Sequence, residues 1–383
     1  MDFNFTEDQQ AIRETIRKFA EKEVAPRAEE LDRTGEFPYD LVKRCGDIGL
    51  IGLAFPEDIG GSNGDTISWS LGLEEISRAD MSLGVTIFVS VVNGLLLYEN
   101  GTKELVRKFV PPLIRGETVG AFGLTEPAGG SDNKAILTTA LEKEDKVILN
   151  GSKCFITNAG TDISSFVNVI AALAPISEMS KKFCIVVVPN GTPGYTISNK
   201  YRKMGWHSSD TRELAFDECV VPAENMIVEP GKGLSQALTM LSLGRIAMAA
   251  CSIGVGQACL DASLKYSKER VAFGRSISKF GRVQDMLVEM AVEIEAARLL
   301  TYKAAFLWDQ SRNIEKEISI AKLYATEAGK KAADLAVQIH GGYGYIDEYP
   351  VSRYYRDIRI ATIGDGTSEI HRMLIARHLG CLD

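Results

Sequence analysis

Metal-ligand and redox spacings are what this 383-residue sequence most plainly lacks. Its seven cysteines, at 45, 154, 184, 219, 251, 259 and 381, form no Cys-x-x-Cys pair. An odd count in a large acidic chain suits reduced, mostly buried thiols, so no disulfide is expected. Four histidines, at 207, 340, 371 and 378, make no His-Glu-x-x-His and no other compact ligand set, so no metal site is expected. A Ser-His-Asp hydrolase is not expected either, for want of a Gly-x-Ser-x-Gly elbow. The strand-and-helix alternation of a dinucleotide-binding sheet is missing, as is any Gly-x-Gly-x-x-Gly after a strand. "GVGQAC" at 254–259 begins like that fingerprint but lies inside a helical run, where its glycines suit close helix packing.

Basic charge is also short. With 43 Lys and Arg against 51 Asp and Glu, the net charge is -8, which argues against a nucleic-acid partner. No apolar run is read as approaching the roughly 18 residues that span a bilayer, so no membrane association is expected. The start, "MDFNFTEDQQ", has neither the basic-then-apolar order of a signal peptide nor the acid-poor composition of a transit peptide. The expected location is therefore the compartment of synthesis, a bacterial cytoplasm.

What is present is material for a large core: 45% hydrophobic residues, enough for two or three domains without staples. Thr6 and Gln9 have capping-box spacing ahead of Ile12, Ile16, Phe19 and Val24 on one helical side. Similar spacing returns in 39–54, 65–78 and 83–99. Between 121 and about 230, runs such as "KKFCIVVVPNGTPGYTIS" and "RELAFDECVVP" are short, β-branched and broken by turn residues. Long helices are then predicted over 233–268, 280–310 and 314–340, rich in Ala, Leu, Glu, Lys and Met. The division expected is a helical domain (1–120), a β domain (121–230) and a second helical domain (231–383).

Five stretches could carry chemistry. "GDGTSEIHR" (364–372) puts Asp365 between two glycines ahead of the last helix. An acid there can be a cap for orphan backbone N–H groups, or a group held towards a ligand at an anion-gathering helix start. "LTEPAGGSD" (124–132) offers backbone N–H groups at Gly129, Gly130 and Ser131 that could cradle phosphate, or is a plain loop. "IHGGYGYID" (339–347) ends a helix with Gly341 as expected cap, and its aromatic and glycine residues could also face a nucleotide. "RVAFGRSISKFGRVQ" (270–284) mixes cations with Phe273 and Phe280, as a pyrophosphate-and-ring site or a solvated basic turn would. "KCFITN" places Phe155 and Thr157 on one side of a strand, as an aromatic wall beside a hydroxyl or as a core Phe and an exposed Thr.

Together and in this order, these motifs resemble the acyl-CoA dehydrogenases. The likeness runs through "FTEDQQAIRETIRKFAEKEVAP", "LTEPAGGSD", "NGSKCFITNAG", "KMGWHSSDTRELAFDE", "LSLGRIAMAA", "RVAFGRSISKF", "QIHGGYGYIDEYPVSRYYRD" and "GDGTSEIHRMLIARHL". It is nearest to the short-chain, butyryl-type branch. The resemblance implies a mainly α subunit with a central β domain: N-terminal helical domain, middle β-barrel domain and C-terminal four-helix bundle. It implies a homotetramer that carries FAD, oxidises an acyl-CoA thioester between Cα and Cβ, and passes electrons to electron-transfer flavoprotein.

Carried over by motif, Leu124, Thr125, Gly130 and Ser131 would hold the flavin and its pyrophosphate. Phe155 stands where the family usually has Trp against the isoalloxazine, and Thr157 would hydrogen-bond flavin N5. Arg270, Phe273, Gln338, Gly341 and Gly342 would reach the adenosine diphosphate part of FAD in a neighbouring subunit, and Thr367 and Glu369 would complete the site. Ser131, Arg245 and Gly366 would lie along the CoA thioester.

Asp365 falls at the position of the family's catalytic base, which abstracts the α-proton. That base is usually Glu, in "YEGTSE"; here the acid is one methylene, about 1.5 Å, shorter, and Gly364 replaces the Tyr. A misplacement near 1 Å can cost about a hundredfold in rate. A branched or alicyclic acyl group such as cyclohexanecarboxyl-CoA, filling the space at Gly364, is therefore expected in preference to a straight chain. Members that carry the base on the "LSLGRIAM" helix would have it at Gly244, which closes that route. Gly281 replaces a Gln that contacts FAD in the short-chain branch. The same fold run backwards would be an enoyl-CoA reductase, and an inactive helical scaffold is the alternative of a different class.

Overall fold

The computed structural model of the chain describes residues 4–175, 181–311 and 313–381. Six helices come first: α1 (Glu7–Phe19), α2 (Ala28–Thr34), α3 (Tyr39–Asp47), α4 (Thr66–Ala79), α5 (Met81–Asn100) and α6 (Lys103–Ile114). Their starts follow local chemistry. Thr6 and Gln9 close the predicted capping box on α1. Asp65 accepts from Ser68 N–H at 2.6 Å at the head of α4, and Asp80 from Ser82 and Leu83 at 2.7 and 3.2 Å at the head of α5. Gly60 to Gly64 do spell Gly-x-Ser-x-Gly, contrary to expectation, but between a single 3₁₀ turn and a helix rather than between strand and helix, so no nucleophile elbow forms.

The β region is one eight-stranded sheet: β1 (Val119–Gly123), β2 (Thr139–Lys143), β3 (Lys146–Thr157), β4 (Ser164–Leu173), β5 (Phe183–Pro189), β6 (Tyr195–Ile197), β7 (Thr211–Pro222) and β8 (Met226–Val228). The order is β6-β7-β3-β2-β4-β5-β8, with β1 added in parallel to β4. Period-two alternation divides the strands between two cores. Val167, Val169 and Ala171 of β4 meet Val186 and Val188 of β5 and Tyr195 of β6 in the interior of the sheet, so strands from opposite ends of the path share one core, as in a barrel. The alternate residues Phe166, Ile170, Ile185 and Val187 join the helical core instead.

The C-terminal region has three long helices, α7 (Gly233–Glu269), α8 (Gly281–Gln310) and α9 (Glu315–His340), and two short ones, α10 (Pro350–Ile358) and α11 (Ser368–His378); a two-stranded hairpin, β9 (Val271–Ala272) and β10 (Arg275–Ser276), joins α7 to α8. The expected C-terminal helical domain is thus built from three long helices and two short ones. The glycines of "GVGQAC" do permit close packing: a Cβ at Gly254 would stand 2.3 Å from the Glu74 carbonyl of α4. One expectation fails. Both α5 and α7 are long and apolar enough to cross a membrane, and both lie largely buried among other elements of the chain. Length and apolar composition alone do not separate a core helix from a spanning one.

Three parts of the chain meet at Asp32. Arg356 of α10 donates to its carboxylate, with Nη1 3.0 Å from Oδ1, and His207 of the segment before β7 lies 3.0 Å from the same oxygen. Beside them Asp357 accepts the Trp206 N–H at 2.6 Å. Burial lifts the Asp357 carboxyl to about 7, a rise that Arg353 opposes and Asp80 reinforces. The folded pKa lies above the roughly 3.9 of a free Asp, so this group's stabilisation is complete at low pH and lost as pH rises through about 7. Asp357→Asn keeps the acceptor and removes the titration. Its melting temperature relative to the unaltered protein should therefore be higher at pH 8 than at pH 5, and an offset equal at both pH values would refute the assignment.

Candidate active site

The turn before α11 answers the question of the cap. Thr367 is the N-cap: its Oγ1 accepts from Ile370 N–H at 3.3 Å. Asp365 is therefore free of that duty. Its backbone is left-handed (φ 53°), sparsely populated for a residue with a Cβ, and Gly366 follows at φ 95°. The residue as a whole is half-buried, yet Oδ2 lies out of contact with solvent and has no hydrogen-bond partner. It stands 3.9 Å from where a Cβ would be on Gly244, so the carboxyl lies over a point on α7 that bears no side chain.

Cations hold the turn by its backbone. Arg245 Nε of α7 donates to the Asp365 carbonyl at 3.1 Å and Lys322 Nζ of α9 to the Gly366 carbonyl at 2.6 Å. His371 Nε2 of α11 is 3.3 Å from the Asp365 carbonyl, which can only accept, so that nitrogen carries the proton. Desolvation raises the Asp365 pKa above the usual carboxylate range, against the pull of Lys322 and Arg245. Lys322 is lowered to about 8 by burial, against Asp365. Burial, with Lys322 and Arg245 adding to it, takes His371 to about 3, so the imidazole is neutral. A carboxyl of raised pKa with one dry, unpartnered oxygen is suited to taking a proton.

On the β domain, β3 bends where its register against β7 shifts between Lys153 and Ile156. The bulge turns both Lys153 and Cys154 inward and leaves Phe155 at φ 59° and 67% exposed, with Thr157 half-buried on the same side. Tyr201 lies against the Phe155 ring at 5.5 Å. Leu124 and Thr125 adjoin this wall, since Thr125 O accepts the Cys154 N–H at 2.9 Å and Leu124 O accepts from Lys153 Nζ at 3.2 Å. In the following loop Gly130 and Ser131 are exposed, and their N–H groups have no acceptor among the described residues. An open aromatic face, a nearby hydroxyl and free backbone donors form a set that fits a flat conjugated ring bearing a phosphate chain.

A buried ion pair supports that loop. Lys153, fully buried, is 2.7 Å from Glu126, whose carboxylate also accepts the N–H groups of Leu137 and Thr138 at 2.7 and 2.9 Å. Burial lowers Lys153 to about 8, while Lys153 and those donors bring Glu126 below its ordinary value in spite of its own burial.

Arg270, Gly341 and Gly342 line one cleft of about 450 Å³ with Tyr266, His340 and Tyr343, and Gly341 is the predicted cap of α9. Phe273 is 96% exposed at φ 51° and meets the edge of Phe280, while Gln338 is exposed on the last turn of α9. Among the described residues, no hydrogen bond, ion pair or ring contact joins these five to Asp365 or Phe155. Glu369 is exposed beside Thr367. The structure thus gathers Asp365, Arg245, Gly366 and Thr367 at one turn with Glu369 beside it, and Leu124, Thr125, Phe155 and Thr157 at one wall with Gly130 and Ser131 in the adjoining loop, and sets Arg270, Phe273, Gln338, Gly341 and Gly342 apart. Sequence reading missed Lys322, His371 and the Lys153–Glu126 pair. Lys322 had a signal: it shares a helical stripe with Ile318, Ala321 and Ala325, all buried.

The chain is similar to known proteins along nearly its whole length. The family descriptions "Acyl-CoA dehydrogenase, N-terminal domain", "middle domain" and "C-terminal domain" match residues 6–117, 121–219 and 231–380. A probable acyl-CoA dehydrogenase of Bacillus subtilis is 45% identical over 380 residues, covering 99% of this chain and 100% of that protein. An acryloyl-CoA reductase (NADH) of Anaerotignum propionicum is 39% identical over 381 residues, covering 99% and 96%. Among solved structures, butyryl-CoA dehydrogenase from Megasphaera elsdenii aligns with a TM-score of 0.94 at 38% identity, over 99% of this chain and 100% of that one.

Because removing one partner of a buried pair leaves the other charge uncompensated, Lys153→Met should cost about 3 kcal/mol in urea unfolding. The double change Lys153→Met with Glu126→Gln should recover part of that loss. A single variant as stable as the unaltered protein would show that the pair does not hold the loop.

Proposed function

Since this chain belongs to the acyl-CoA dehydrogenase family, we propose that Asp365 is the base with which it dehydrogenates an acyl-CoA thioester, on a branched or alicyclic acyl group. Members of the family are FAD-dependent oxidoreductases. FAD, when bound, supplies the hydride acceptor. Leu124, Thr125, Gly130, Ser131, Phe155 and Thr157 would hold it in one subunit; Arg270, Phe273, Gln338, Gly341, Gly342, Thr367 and Glu369 are assigned to it by the resemblance, the first five through a neighbouring copy.

The observation that carries this reading is the unpartnered, dry Oδ2 of Asp365. An α-proton of a thioester is weakly acidic, so its removal needs a base that is desolvated and aimed, and the carboxylate oxygen takes the proton directly. Ser131, Arg245 and Gly366 are assigned to the thioester by the resemblance; Arg245 binds the turn through Nε, and its Nη2 lies 3.7 Å from where a Cβ would stand on Gly366. Gly366 without a side chain lets a substrate approach the backbone closely. Room for a ring is left by Gly244 and by Gly364, where an added Cβ would meet only Ile360 O at 3.7 Å and Met248 Cε at 3.9 Å. Cyclohexanecarboxyl-CoA is the proposed type of substrate.

The likeness to an acryloyl-CoA reductase favours a second reading, in which the same site runs towards the saturated thioester. Electron-transfer flavoprotein is the proposed electron partner, and a homotetramer the proposed assembly. Val288, Val292, Leu299 and Phe306 support self-association, since they recur four and seven residues apart along α8 and are exposed.

The test is flavin bleaching without oxygen across straight, branched and ring acyl-CoAs. Asp365→Ala should retain its flavin and slow reduction by about 10²- to 10⁴-fold, the usual worth of a general base. Asp365→Glu should shift preference towards linear chains. Unchanged bleaching by the Ala variant would place the base elsewhere.

A further inference from the structure

We propose that Lys322 is a positioning residue of this site, gripping the Gly366 carbonyl so that the left-handed turn keeps Asp365 unpaired and aimed, while its charge keeps that acid ionisable. The proposal rests on Asp365 being the base. Three observations carry it.

The first is the cost. Lys322 sits at a core position of α9 and is fully buried. An ammonium out of water is strongly disfavoured unless paired and fully hydrogen-bonded. Among the described residues it makes a single hydrogen bond, to Gly366 O at 2.6 Å, and no ion pair within 4 Å. A packing role alone would be served better by Met or Leu.

The second is what the cation grips. Lys322 and Arg245 bind carbonyl oxygens of successive residues and leave the carboxylate alone. Had either bonded Oδ2, the acid would be a strong ion pair with its lone pairs engaged, and a poor base. A planar trans peptide points its N–H opposite its C=O, so the N–H groups of Gly366 and Thr367 turn away from the cations. Neither finds an acceptor among the described residues. The grip thus fixes two free donors as well as the acid.

The third is the charge balance. Two cations, Arg245 and Lys322, act on the one buried carboxylate, and the third neighbour, His371, is neutral. Glu315 acts on Arg245, while Glu327 and Glu369 act on Lys322, and the cations that act on Asp365 itself are Lys322 and Arg245. Removing Lys322 leaves burial opposed by Arg245 alone, and Asp365 then holds its proton to higher pH.

The experiment uses the flavin-loaded enzyme with Lys322→Met and Lys322→Arg, reading the pH dependence of flavin reduction and the infrared carbonyl band of protonated Asp365. That band is identified by its loss in Asp365→Asn. Expected in the Met variant are a move of the acid limb and of the band's titration to higher pH, and a rate at neutral pH lower by about a hundredfold. Arg, which restores charge and donors, should return both. A Met variant that is folded, with rate and titration unchanged, overturns the proposal. Should Met not fold, Arg and Gln variants decide, because equal acid limbs for a charged and an uncharged side chain would also overturn it. If Asp365→Ala stays active, the base assignment has failed; if it is inactive while Lys322→Met behaves normally, only Lys322's role has failed.

Discussion

A carboxylate oxygen shut off from water and left without a partner is the constraint on which the rest of this molecule depends. Left to itself such a group would find a cation, a backbone N–H or solvent, because each lowers its free energy by more than the turn could resist. Here the side chains around it are engaged elsewhere. Thr367 takes the capping role, and Arg245 and Lys322 are tied to backbone carbonyls. His371 is kept neutral between them. The unusual backbone at Asp365 is therefore held by three side chains from three helices.

Those helices must in turn be held close. Gly254 lets α7 rest on the backbone of α4, and a Cβ at Gly329 of α9 would stand 2.8 Å from the Ser252 carbonyl of α7. Any side chain at either position would part elements whose spacing brings Arg245 and Lys322 to the same turn. The β domain follows the same logic by other means. Its aromatic wall exists because a bulge in β3 sends Lys153 and Cys154 inward together, and the inward Lys153 is then stabilised by Glu126 of the adjoining loop. In both places a buried lysine anchors backbone of the candidate site, through a carbonyl in one case and a carboxylate in the other.

Much of this was legible in the sequence. The capping box at Thr6 and Gln9 is as read, and α7 ends within one residue of its predicted bound. Such features depend on neighbours three or four residues away, which periodicity reports. Phe155 and Thr157 share a side as alternation predicts, but the bulge that exposes Phe155 depends on register against β7, some sixty residues later in the chain, and local pattern is silent on it. The identity of the cap was undecidable for a related reason. Asp365 and Thr367 are both good caps, and the choice is made by the left-handed turn, which is set from α7, α9 and α11. Lys322 was visible as a charge in an apolar stripe, whereas its partner, 44 residues on, was not.

The short acid and the two bare glycines around it are best understood as one feature. Oδ2 of Asp365 lies in van der Waals range of the place where Gly244 lacks a side chain, and Gly364 leaves space by Met248. A longer acid on this turn would extend about 1.5 Å further and take up some of that space itself. Empty apolar volume in a folded protein costs on the order of 24 cal/mol per Å³, so space left bare beside the acid favours whatever can fill it. On the proposed function, an acyl group broad at the carbon next to the thioester would fill it and would bring its α-hydrogen towards the shorter acid. Width at the substrate and shortness at the base are, on the proposed function, complementary requirements.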